Sequence, residues 1–77
     1  MKKITLVQMK PKQKGRISEI IAGKILLSRL MSMGIYPGKE VTKISNFIFK
    51  GPIAIRVSRS VVALGYGTAS KILVEVE

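Results

Sequence analysis

The sequence predicts a mainly β fold: a small, partly open barrel of about five strands, with one α-helix inserted after the first strand and a short helical turn before the last. Three observations carry this. Ile53, Ile55 and Val57 alternate with Ala54, Arg56 and Ser58, the period of a strand with one buried face. Residues 24–33 place apolar side chains at helical spacing and then run into Gly34 and Pro37-Gly38. At 77 residues the chain is one domain, 1–77. A chain of this size buries only roughly 60% of the surface its unfolded form exposes, so its core is thin.

Taken in order, residues 10–15 (Lys-Pro-Lys-Gln-Lys-Gly) read as a polar approach ending in a turn. The first strand then runs over 16–21. Ile17 and Ile20 are offset by an odd step where a flat strand keeps one face on even steps, and a bulge or strand end near Glu19 resolves this. Gly23 is a serviceable helix N-cap, and the helix spans 24–33. At about 100° per residue, Met33, Leu26, Leu30, Leu27 and Met31 fall on one apolar arc. Lys24, Ser28, Ser32 and Arg29 occupy the rest, with Ile25 the one apolar residue among them. Arg29 lies at the margin of the arc beside Met33, where its stem covers apolar surface while the guanidinium reaches out.

The helix is stopped twice. Gly34 suits the left-handed residue after a helix end, with Ile35 folding back onto Leu30, and Pro37-Gly38 signals a type II turn. Residues 41–49 are then rich in β-formers, with a second odd offset between Val41 and Ile44. Lys50-Gly51-Pro52 makes a turn, 53–58 is a strand, Ser58-Arg59-Ser60 is a short hairpin connection and 61–64 returns. Gly65 to Ser70 breaks the sheet with one helical turn. Ile72, Val74 and Val76 alternate with Leu73, Glu75 and Glu77 in a final strand.

Composition narrows the chemistry. Lys and Arg number 14 against 4 acidic residues, all Glu, for a net charge of +10. Such a field attracts polyanions: nucleic acid, anionic headgroups or an acidic protein surface. Lys10, Lys12, Lys14 and Arg16 form the one partial cluster. Met1–Val7 faintly imitates the basic start of a signal peptide, but Gln8 and Lys10 interrupt the apolar run. No apolar run approaches the roughly 20 residues that cross a bilayer. A soluble, cytoplasmic protein is expected.

The chain has no His, Cys or Asp, so it lacks the side chains that most often move protons near neutral pH, and its serines have no evident base partner. Imidazole and thiolate ligands are missing too, so neither a transition-metal site nor a cofactor is expected. Glu75 and Glu77 share a strand face and read as its solvent side. Gly65-Tyr66-Gly67-Thr68 lacks the lysine and spacing of a phosphate loop and reads as a turn. A binding module remains.

The order of features resembles the FeoA family from one end to the other. The residues that carry it are Gly15-x-Ile17-x-x-Ile20, Arg29-Leu30-x-x-Met33-Gly34-Ile35-x-Pro37-Gly38-x-x-Val41, Gly51-Pro52-Ile53, Ala63-Leu64 and Ala69-x-x-Ile72-x-Val74. The resemblance implies an SH3-like barrel and a small, non-catalytic, cytosolic accessory protein of bacterial ferrous-iron uptake. That family is associated with transition-metal handling and works beside FeoB, a membrane transporter with a cytosolic GTPase domain. A monomer is expected, reaching the membrane peripherally through that partner.

Arg29, Met33, Ile35, Tyr36 and Pro37 are the expected contact residues. An arginine at the edge of an apolar stripe can clamp a partner carboxylate, or can form an internal pair with Glu19 or Glu40. Leu30, Gly34, Gly38, Gly51 and Pro52 are expected to build core and turns. The alternative is a basic barrel binding nucleic acid. It has ample charge for phosphate contacts, but Tyr 2 and Phe 2 supply few platforms for base stacking.

Overall fold

Strand-forming stretches pair into one antiparallel sheet in a computed structural model that describes residues 1–46 and 51–77. The elements are β1 (Lys2–Thr5), β2 (Lys14–Ile20), α1 (Lys24–Ser32), β3 (Glu40–Asn46), β4 (Ile53–Val57), β5 (Ser60–Leu64), α2 (Tyr66–Ala69) and β6 (Ile72–Val76). The strand order is β1-β6-β2-β3-β4-β5, an open SH3-like sheet.

Alternation decides which face is buried. β4 turns Ile53, Ile55 and Val57 inward, and β6 does the same with Ile72, Val74 and Val76. Ile17, Val41 and Leu64 join them. Leu30, Ile35 and Ala69, from α1, its exit and α2, complete the core together with Leu6 and Met9.

Both odd offsets are β-bulges. β2 slips against β6 between Ile17 and Glu19, and β3 slips against β4 between Lys43 and Ser45. The unpaired extra residues, Ser18 and Ile44, shift the alternation by one step. In β2 this lets Ile17 be buried while Ile20 still packs against the core.

Three expectations need correction. The sheet has six strands rather than five, because β1 pairs along β6 from Lys2↔Val76 to Thr5↔Leu73. The helix therefore follows the second strand. Met31, expected on the apolar arc, is 61% exposed; Ile25, placed off the arc, is 81% exposed. Only the flank of α1 centred on Leu30 meets the sheet, with Leu26 and Leu27 half-buried beside it. β2 also begins earlier, at Lys14, and β3 is described as far as Asn46, so the expected strand residues 47–49 and Lys50 of the next turn lie outside the described residues.

Lys43 lies an even step from Val41 and faces inward with it, just before the bulge at Ile44. Lys43 is fully buried, and its Nζ donates to the carbonyl oxygens of Leu6 (2.8 Å), Val7 (2.9 Å) and Met9 (2.7 Å). An ammonium has three donors and no acceptor, so the cage uses its full capacity. Burial pushes the Lys43 pKa below its ordinary value, against which the three acceptors favour the charged form.

Candidate functional site

The helix exit is held by its own backbone. The Ile35 N–H donates to the Leu30 carbonyl (2.9 Å) and the Gly34 N–H to that of Met31 (3.0 Å), with Gly34 at φ +83°. This pair of bonds is the Schellman arrangement, which needs a left-handed residue where Gly34 stands. The C-terminal hydrophobic contact that accompanies it falls to Leu30 and Ile35, both buried. The Lys39 N–H then reaches the Tyr36 carbonyl at 3.1 Å, with Gly38 at φ +94°, as a Pro-Gly type II turn requires. Gly38 N–H to the Ile17 carbonyl and Ile17 N–H to the Lys39 carbonyl, both 2.8 Å, stitch the turn to β2.

On this frame Arg29, Tyr36 and Pro37 are exposed and Met33 is half-buried. Ile35 has no exposed surface at all and is corrected from a contact residue to a core residue, drawn in by the same bond that closes the helix. Arg29 forms no ion pair among the described residues, so neither Glu19 nor Glu40 neutralises it. Its place in the last turn of α1 suits the negative end of the helix dipole. The Tyr36 ring lies under the Lys39 Nζ, 6.0 Å from the centroid, at the outer reach of a cation–π contact.

Leu30, Gly34 and Gly38 build the frame. Gly51 is half-buried and Pro52 exposed just before β4. Sequence reading missed Ile21 as surface, 60% exposed, and missed Lys39. Ile25 precedes Arg29 by one helical turn, so it shares its face. Its place among polar residues on the helical projection puts it off the apolar arc.

Among the described residues no cluster of His, Cys, Asp or Glu is arranged to hold a metal ion, and no helix is long and apolar enough to cross a membrane. What the arrangement offers is a surface: an unneutralised guanidinium, a partly exposed tyrosine and a rigid turn.

The FeoA domain model matches residues 4–76. The chain belongs to the FeoA family. A candidate Fe(2+) transport protein A of Methanocaldococcus jannaschii is 41% identical over 59 residues, covering 77% of this chain and 70% of that protein. The crystal structure of an iron uptake regulatory protein (FeoA) superposes with a TM-score of 0.87 at 31% identity, covering 97% of each chain. A manganese-dependent transcriptional repressor shares the fold alone, at 21% identity and TM-score 0.86, over 97% of this chain and 42% of the repressor. This FeoA-family protein is thus linked to ferrous iron transport.

Proposed function

We propose that this FeoA-family chain acts by binding, docking on an acidic surface of the cytosolic GTPase region of a FeoB-type transporter. The observation that carries the reading is Arg29. It is exposed and without an ion pair among the described residues, on a helix face flanked by Ile25 and Met33, in the last turn of the helix whose exit leads into Tyr36 and Pro37. Arginine and tyrosine beside apolar surface are typical anchors of protein interfaces. The net charge of +10 adds long-range attraction to an acidic partner and raises the rate of encounter.

Retention on the immobilised cytosolic domain is the direct test. Arg29→Ala is expected to weaken binding by about tenfold, the loss of roughly 1.4 kcal/mol. Equal retention of parent and variant would clear the arginine, and retention of neither would sink the docking reading.

A further inference from the structure

Cross-strand register decides where the positive charge of this chain is left uncompensated. On the outward face of the sheet, Arg16 stands opposite Glu40 of β3 and Glu75 of β6, and Lys3 also stands opposite Glu75. Glu40, Glu75 and Glu77 all border one open cleft together with Lys14, Arg16 and Met1. Charges there nearly balance.

The neighbouring cleft does not balance. It is an open depression of about 410 Å³ bordered by Lys14, Lys39, Arg56, Thr42, Ser58 and Glu40, with Gly38 at its rim. Lys14 pairs with Thr42, and Thr42 with Arg56. The row across β2, β3 and β4 is therefore cation, hydroxyl, cation, with no carboxylate between. Lys39 adds a third cation from the type II turn. Among the described residues none of these cations forms an ion pair. Like charges gathered around a concavity repel one another and are relieved by a bound anion.

We infer that this cleft receives an acidic segment of a protein partner, its carboxylates meeting Lys14, Lys39 and Arg56. Tyr36 and Pro37, on the same turn as Lys39, lie beside it and offer apolar contact. The inference rests on the docking reading above and gives it a place and a chemistry. A polypeptide fits better than a nucleic acid because Glu40 stands in the wall. A peptide N–H can donate to that carboxylate, whereas a phosphate backbone has only acceptors to present.

The probe is a glutamate-rich peptide, titrated into ¹⁵N-labelled protein. Parent protein is compared with the pair Lys39→Glu/Arg56→Glu and with Lys71→Glu, an exposed control at the opposite end of β6 from Glu77. Amide shifts are expected to gather at 38–42 and 56–58. The paired reversal should lower affinity at least about tenfold and the control less than about twofold, with thermal melts confirming that all three are folded. Shifts spread over all the lysines, or a paired reversal no worse than the control, would overturn the inference. So would duplex DNA or anionic vesicles that bind more tightly than the peptide through the same three residues. The transporter's cytosolic domain separates the two proposals. If the peptide titration succeeds and that domain is not retained, the named partner is wrong and the cleft stands. If that domain is retained equally with and without the paired reversal, the cleft is wrong and docking stands.

Discussion

Two segments of this molecule turn back on the sheet, and they are held in opposite ways. The helix exit, 31–39, is closed by bonds between near neighbours: Ile35 to Leu30, Gly34 to Met31, Lys39 to Tyr36. The segment 6–13 has local bonds as well, with Gln13 N–H to the Lys10 carbonyl and Lys12 at φ +72°. What fixes it to the body, however, is distant: Leu6 N–H donates to the Ile72 carbonyl, Lys12 N–H to the Lys43 carbonyl and Lys43 N–H to the Gln13 carbonyl, and the Lys43 ammonium grips carbonyls 37, 36 and 34 residues away in the chain. A locally closed turn loses only its own geometry when one residue changes. A segment tied by distant bonds is most exposed at Lys43, the one side chain that makes three of them at once.

The largest effect is therefore expected at that point. Lys43→Met keeps the length and removes the ammonium, leaving the Val7 and Met9 carbonyls without their donor. Loss of charge-assisted hydrogen bonds and stranding of buried acceptors should cost about 3 kcal/mol or more. That is a large share of the roughly 4–12 kcal/mol available to a domain of this size. Chemical denaturation measures the cost, and hydrogen exchange should show protection lost first over 2–9. A variant as stable as the parent would mean that the cage is incidental.

Next is Gly34→Val at the helix exit. The added Cβ would meet only the Val57 side chain, at an ordinary 3.6 Å, so the cost is backbone strain at positive φ and not crowding. It should exceed about 1–2 kcal/mol, with no selective loss of protection at 2–9. If that segment opens too, the two regions are less independent than their bonding implies.

Gln8→Ala is milder. It removes the acceptor for the Thr5 N–H, a 2.9 Å bond on the surface, and should cost about 0.5–1 kcal/mol.

The smallest effect is in pH. Because burial lowers the Lys43 pKa below its ordinary 10.5, the unfolded chain holds more protons than the folded one between the lowered value and 10.5. Stability contributed by this group therefore rises with pH across that window. The stability difference between parent and Lys43→Met should widen as pH climbs toward 10.5. A difference that shrinks would show that the carbonyls, not burial, dominate the titration.

The same contrast explains what the sequence made legible. Gly34, Pro37 and Gly38 each announce a backbone geometry that near neighbours complete, so the helix stop and the turn after it could be read directly. The odd offsets at Ile17–Ile20 and Val41–Ile44 pointed to the bulges for the same reason. β1 could not be read, because Lys-Lys-Ile-Thr has one large apolar residue and becomes a strand only by lying along β6. Lys43 looked like one more solvated lysine. Its inward direction follows its even step from Val41, but its burial is satisfied only by carbonyls supplied by another segment. At the site, Arg29, Tyr36 and Pro37 were read as surface and are surface. Ile35 was misplaced because the fold-back expected of it also removes it from solvent. The charge row Lys14–Thr42–Arg56 needs cross-strand register, which no local pattern supplies.

The position of β1 has a consequence for how the chain is made. Among the described residues its strand partner is β6, the last of the six strands to leave a ribosome that synthesises from the N-terminus. The first strand must therefore wait, unpaired, until nearly the whole domain has emerged. β3 can form its ladder with β4 earlier, but the carbonyls that Lys43 grips belong to the loop that β1 leads into. The lysine can hold that loop while its strand is still waiting, so that β6, once made, meets β1 already close at hand.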